Sequence, residues 1–330
     1  MIKIAVDAMG SDLGSSVVVT AIQKFLKDYP DVAFIVCGQE NELSALNNLE
    51  RVSICPTTGV MGMEDGALDV MRRKDTSMMK AIEYMANKEV NAVVSAGSTG
   101  AFLTAATLKL RLIPGVMRAA LVSPFPRQDG QSVTILDIGA NNENQPAQLV
   151  QFAHMGKVFN QVMNGTKEPK IYLLSNGAEA KKGSPLVKEA HKLLEVEPGL
   201  NFKGNLEARE VLSGVADVVV ADGYSGNVLL KATEGVASMM NGMIKTAFKT
   251  NVLTKIGYIF AKKGFGDFKA RMDYKKYGGA MLLGVNGVVV KGHGNSDDYA
   301  FYNAIRVAYT LAKQDIVTAL GKEMAHGEGL

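Results

Sequence analysis

The chain is short of cysteine, histidine and net charge, and each shortage removes a class of protein. Two cysteines, Cys37 and Cys55, in 330 residues leave no basis for a disulfide framework or a Cys-rich metal site. Each lies in an apolar run, where a thiol is expected to act as a small core residue. The four histidines, His154, His191, His293 and His326, are too scattered for a local metal motif. Lys plus Arg number 36 against 33 Asp plus Glu, a net +3. That balance gives no support to a nucleic-acid partner and confines any basic surface to local patches. No apolar run approaches the ~20 residues of a membrane span, and Met1–Asp7 reads as a first strand rather than a signal peptide. A cytoplasmic protein is expected. The dinucleotide, P-loop, zinc-protease and nucleophile-elbow motifs are all missing.

What is present is an alternation of strand and helix patterns. Strands are readable at 2–6, 33–37, 52–55, 90–95, 119–123, 133–138, 170–175, 216–222 and 287–291, mostly separated by helical spacing such as Val18, Ile22, Phe25 and Leu26. Such alternation predicts an α/β fold with a parallel or mixed sheet covered on both faces. The hydrophobic content of 47% suffices for one large core or two smaller ones.

The stretch from Val90 to Arg111 carries the sharpest local signal. A β-branched run ends at Ser95-Ala96-Gly97-Ser98-Thr99-Gly100, and helical spacing begins at Ala101. A strand-turn-helix of this kind aims free backbone N–H groups, the positive end of the helix dipole and three hydroxyls at one point, a place for phosphate. The alternative is that Gly97 and Gly100 only let strand and helix pack closely. Other strands also end in small polar loops: Asp7 to Asp12, Asp137 to Asn141, Ser175 to Gly177, Asp222 to Asn227, and Lys291-Gly292-His293-Gly294. In an open α/β sheet such loops converge in the crevice beyond the carboxyl ends of the strands. Of the histidines, only His293, between two glycines, is placed for work.

Three basic elements stand out. Gly235 to Gly266 holds Lys245, Lys249, Lys255, Lys262 and Lys263 and no acid. Its apolar residues fall in two amphipathic halves, Met239 to Phe248 and Val252 to Phe260, with a break near Thr250-Asn251. This predicts a projecting helical hairpin, spanning 235–275, within a single α/β domain of 1–330. Val252, Leu253, Ile256, Ile259, Phe260, Lys262 and Lys263 would form a tip suited to an anionic membrane or an acidic partner. The alternative is a dimer interface rimmed by lysines. Lys181-Lys182 precedes Ser184-Pro185, an N-cap and first position of a helix, so that two cations lie beside its positive end. Met71-Arg72-Arg73-Lys74 reads as a solvated helix approach or an anion contact.

Taken together, Asp7-Ala8-Met9-Gly10, Ser95 to Ala101, Asp137 to Asn141, Gly204 to Arg209, Asp222 to Asn227, Tyr277-Gly278-Gly279-Ala280 and Lys291 to Gly294 resemble, in order, the motif set of the bacterial phosphate acyltransferase family, the acyl-acyl carrier protein:phosphate acyltransferases. The chain departs from the pattern at Ser11, Gly14-Ser15 and Ser98, and matches it loosely at Ser175 to Glu179. The resemblance implies a three-layer αβα sandwich with a mostly parallel sheet, similar to isocitrate dehydrogenases and phosphotransacetylases. It also implies a homodimer, no metal or nucleotide, and peripheral membrane association through the hairpin. The implied reaction is attack of inorganic phosphate on a long-chain fatty acyl carrier protein thioester, giving acyl phosphate for a glycerol-phosphate acyltransferase of phospholipid synthesis.

Phosphate is itself a nucleophile, so the protein has only to position charge and stabilise an oxyanion. The turn Ser95, Gly97, Ser98, Thr99 and Gly100 is the expected phosphate cradle. Lys182, Lys291 and Asn227 would neutralise phosphate or donate to the thioester oxygen, and His293 would protonate the departing thiolate. Asp7, Asp137, Asn141 and Asp222 are expected to orient the site. The rivals are a phosphotransacetylase using coenzyme A, a metal- and NAD-dependent decarboxylating dehydrogenase, and a non-enzymatic scaffold of lipid synthesis.

Overall fold

The computed structural model describes residues 1–62, 64–272 and 274–326, without side chains over 267–275 and at 326. His326 and the last residues of the expected hairpin therefore lie outside the described side chains. The elements in order are β1 Ile2–Asp7, α1 Ser15–Asp28, β2 Val32–Gly38, β3 Val52–Pro56, α2 Ser77–Ala86, β4 Ala92–Ser95, α3 Thr99–Leu110, β5 Ala120–Pro126, β6 Ser132–Leu136 and α4 Pro146–Asn164. There follow β7 Ile171–Ser175, α5 Pro185–Val196, β8 Phe202–Glu207, β9 Val218–Val220, α6 Gly223–Lys249, α7 Val252–Met272, β10 Ala280–Leu283, β11 Val288–Lys291, α8 Asp298–Lys313 and α9 Ile316–His326.

The strands form one sheet in the order β3-β2-β1-β4-β11-β10-β5-β6-β9-β7-β8. Among the described residues seven of the ten pairings are parallel and three, around β10 and β5, are antiparallel. Alternation along each strand separates the layers. Ile4 and Val6 face a core shared with α1, α4, α5, α8 and α9, whereas Ala5 faces the opposite one, under α2 and α3. Leu229 and Leu230 of α6 cover a third cluster over β5, β6 and β9. The result is the expected three-layer αβα sandwich with a mostly parallel sheet.

Two strands escaped the sequence pattern. β8, FKGNLE, has no continuous apolar run, and β10, AMLL, is only four residues of types that favour helices. Helix starts follow local chemistry. Ser184 caps α5 by accepting from Val187 N–H, with Pro185 at the first position. α1 instead starts after Gly14 with no side-chain cap, and Ser15 Oγ donates to the Ala8 carbonyl at 2.9 Å.

Cys37 is buried as expected, but Cys55, on the edge strand β3, is only half-buried. No described helix is long and apolar enough to cross a membrane.

Candidate active site

The three antiparallel pairings divide the polar loops into two groups. β1, β4 and β11 run together, so Asp7, Ser95 and Lys291 end side by side, with Asp7 paired to Ser95 and Ser95 to Lys291. β6, β9 and β7 run the other way, so their carboxyl ends leave on the opposite side. One crevice beyond one sheet edge, as expected from a parallel sheet, is therefore not formed. β6 nevertheless stops at Leu136, level with Val122, Met281 and Val290. Its turn opens onto the middle of the sheet, two residues in register from Lys291, ~7 Å along the strands and three strand spacings, ~14 Å, across.

At the first group Asp7 is buried and accepts from Ser77 Oγ and Ser95 Oγ, both at 2.6 Å. Gly97 N–H donates to Ser95 Oγ at 3.0 Å. The Ser95 hydroxyl and the Gly97 N–H are thus committed to building the turn. Gly10 and Gly97 pack backbone to backbone, where a Cβ on Gly10 would come within 2.6 Å of Gly97 Cα. What the turn leaves to a ligand is the first turn of α3, whose N–H groups have no intrahelical partners, at Ser98, Thr99 and Gly100. Of these, Thr99 and Gly100 are exposed.

Lys291 is buried beside this turn, its Nζ donating to the Gly292 carbonyl. Burial pulls its pKa down to about 8, while the carboxylates of Asp7 and Asp12 act the other way and Lys231 adds to the fall. His293 follows, with Nε2 3.3 Å from Glu234 Oε1. Burial also lowers the His293 pKa, with Glu234 opposing and Lys291 and Lys231 assisting. The loop is tied to the one after β1 by Asp12 N–H to the Gly294 carbonyl at 2.9 Å and by Ser11 Oγ to the same oxygen at 3.4 Å.

At the second group Asp137 is buried and collects five donors. Oδ1 accepts from the N–H groups of Leu121, Gly139 and Ala140, and Oδ2 accepts from the N–H and Nδ2 of Asn141. Burial raises its pKa against the effect of these bonds. Asp222 caps α6 by accepting from Ser225 N–H at 2.9 Å. The helix start is pressed onto this loop so closely that a Cβ at Gly226 would lie 1.8 Å from the Asp137 carbonyl oxygen and one at Gly223 2.0 Å from that of Asn141. Only glycine fits at either position.

α6 joins the two groups. Asn227, against Gly139, Lys231 and Glu234 are spaced i, i+4, i+7 along one face, and the helix carries them ~18 Å from its cap toward His293. Lys231 pairs with Glu234 at 3.0 Å. Lys231 and Glu234 are the two site residues that sequence reasoning missed. The signal available was their phase with Asn227.

Lys182 stands apart. It is exposed on the loop after β7, its N–H bonded to the Glu179 carbonyl. That loop leaves β7 five strand positions from β11, ~24 Å, and on the opposite side of the sheet. Arg73 of the other basic cluster pairs with Asp65 at 2.7 Å. A cavity of ≈ 840 Å³ opens near the first group, over the ends of β2 and β3, lined among others by Gln39, Asn41, Thr57, Asp75 and Lys80.

The architecture places the chain in a class of α/β proteins that includes the phosphotransacetylases. It is similar in structure to a phosphotransacetylase from Streptococcus pyogenes, with a TM-score of 0.62 at 18% identity, and to the EutD phosphotransacetylase from Staphylococcus aureus, with 0.59 at 20%, each over 94% of both chains. The model of the family described as fatty acid synthesis protein matches residues 2–319. Over 321 residues the chain is 40% identical to proteins named phosphate acyltransferase from Staphylococcus aureus strains MRSA252 and MSSA476, covering 97% of this chain and of theirs. The chain belongs to this family.

Proposed function

We propose that the protein is a phosphate acyltransferase that moves a long-chain fatty acyl group from an acyl carrier protein thioester to inorganic phosphate. The observation that carries this reading is the meeting of Lys291, Lys231 and His293 beside the start of α3, together with relatives of that name. Two ammonium groups, helix N–H groups and the hydroxyls of Ser98 and Thr99 suit a phosphate dianion. A phosphate oxygen attacks the thioester carbonyl, the C–S bond breaks, and His293 supplies the proton that the leaving sulfur takes up. The imidazole then takes up the proton lost by phosphate, which restores the imidazolium. Asn227, against Gly139 and on the same face of α6 as Lys231, is assigned to the thioester oxygen. Asp7, Asp137, Asn141 and Asp222 hold the backbone that positions these groups. Lys182, ~24 Å from β11 on the opposite side of the sheet, takes no part in the phosphate site.

The same reading includes a homodimer, peripheral contact of the α6–α7 tip with anionic membrane, and delivery of acyl phosphate to a glycerol-phosphate acyltransferase. Support comes from the exposed apolar residues of both helices, among them Met239, Met243, Leu253, Ile259 and Phe260, the last 85% exposed. No metal or nucleotide takes part in the steps described.

Phosphate-dependent release of free thiol from a long-chain acyl carrier protein thioester, with chelator present, tests the assignment. Release with acyl phosphate as product is expected, and much weaker release from the coenzyme A thioester. Release from coenzyme A alone would make the protein a phosphotransacetylase; no release from either would leave the scaffold reading.

A further inference from the structure

Away from this site, the chain's only two cysteines face each other. Cys37 of β2 and Cys55 of β3 are aligned partners in adjacent parallel strands, and both pack on the same side of the sheet, under α2. Aligned Cα atoms on neighbouring strands lie ~4.8 Å apart, inside the ~4.4–6.8 Å a disulfide spans. Cys37 is fully buried, while Cys55 is half-buried on the edge strand, next in sequence to Pro56, which lines the cavity over the ends of β2 and β3. Lys80, from the same cavity wall, and Tyr84 approach the Cys55 sulfur from α2.

We propose that Cys55 is a peroxide-reactive thiol and that Cys37 resolves it, closing a reversible disulfide between β2 and β3. The electrostatics agree with the division of labour. Hydrogen bonds from the Cys37 and Tyr84 side chains, with Lys80 nearby, bring the Cys55 pKa down to about 6 against the effect of burial, and the partner thiol and burial push Cys37 up. The downward shift favours the thiolate at Cys55 over Cys37, and the thiolate is the nucleophile. It attacks one oxygen of hydrogen peroxide, the O–O bond breaks, and hydroxide leaves to be protonated as water, giving a sulfenic acid. The Cys37 sulfur then attacks the Cys55 sulfur and the S–O bond breaks. The departing hydroxide takes the Cys37 proton as a second water. Two thiols lose two electrons and two protons, and one peroxide becomes two waters.

The test is peroxide treatment of the intact protein, then thiol counting and peptide mapping after denaturation in a blocking agent. Loss of both thiols is expected, with one linked Cys37–Cys55 peptide pair two hydrogens lighter and both thiols regained in dithiothreitol. In Cys37→Ser, Cys55 should stop as a sulfenic acid that dimedone traps or continue to sulfinic acid; in Cys55→Ser, Cys37 should stay reduced. A free Cys55 thiol in protein whose methionines have been oxidised would overturn the proposal. So would a Cys55 sulfinic acid beside reduced Cys37 in the unmodified sequence, or a disulfide that joins two chains.

Discussion

Lys291 is the residue whose environment makes the sharpest demand. Phosphate is already dianionic above pH ~8, so any further loss of affinity there belongs to the protein. With its pKa lowered to about 8 by burial, Lys291 sheds its charge across that range, and the KM for phosphate should rise as pH passes 8. Lys291→Arg should flatten this rise, because guanidinium stays charged; a wild-type KM flat from pH 7 to 9 would refute it. Glu234 acts through His293, 3.3 Å away. Removing its charge in Glu234→Gln lowers the His293 pKa further, so the basic limb of the kcat profile should move to lower pH. His293→Ala should lower kcat by the ~10²–10⁴ of a lost general acid; unchanged turnover would remove His293 from catalysis. Lys291 and His293 were legible in the sequence because glycines flank the histidine at a strand end. Lys231 and Glu234 were not, since a Lys and a Glu three apart on a helix read as an ordinary surface pair. Ser95 read as a ligand donor, yet its hydroxyl serves Asp7. A side chain's partner 88 positions away leaves no local mark.

At the scale of the element, α6 and α7 carry the separation of chemistry from attachment. The first three turns of α6 belong to the site. Beyond Gly235 the helix leaves the sheet and meets α7, where Phe248 packs on Tyr258 and Phe265. The break was legible near Thr250-Asn251, between the two amphipathic halves, and there Asn251 and Thr254 form a reciprocal cap: Thr254 N–H donates to Asn251 Oδ1 at 2.9 Å and Asn251 N–H to Thr254 Oγ1 at 3.1 Å. What the tip touches was not legible, since a lysine-rimmed apolar face suits lipid and protein alike. Val252, Leu253, Ile256, Ile259 and Phe260 are exposed in the single chain, and Lys262 and Lys263 border them. Ile256→Asp with Phe260→Asp should abolish sedimentation with anionic vesicles and leave acyl transfer in solution intact. Loss of the dimer in that variant, seen by light scattering, would assign the tip to the interface instead.

At the scale of the whole molecule, the sequence pattern yielded nine of the eleven strands among the described residues but not their directions. Hydrophobic runs such as VVV in β9 mark burial on both faces, whichever way a strand points. The reversal at β10 and β5 therefore separated loops that a parallel sheet would have gathered, and only the length of α6 brings them together again. The chain's last helix is held by a similarly non-local device. His154 of α4 meets Glu323 of α9 at 2.7 Å through Nδ1 and Glu197, just past α5, at 2.9 Å through Nε2, while Lys157 reaches Glu323 at 2.7 Å. Burial lowers the His154 pKa, but the two carboxylates outweigh it and the net shift is upward. The hydrogen bond from His154, with help from Lys157 and against burial, draws Glu323 down to about 2. A group whose folded pKa is raised stabilises fully below its unfolded value, ~6.5 for histidine, and loses that contribution as pH climbs through the folded one. A depressed carboxyl does the reverse, contributing above ~4.5 and failing only as pH drops toward 2. The clamp is thus complete between pH ~4.5 and ~6.5 and weakens above. His154→Gln should lower the melting temperature at pH 6, by about 1–2 °C per kcal/mol lost in a chain of this size, and the gap to wild type should narrow by pH 9. A gap constant from pH 6 to 9 would mean that folding does not shift the His154 pKa and would refute the clamp.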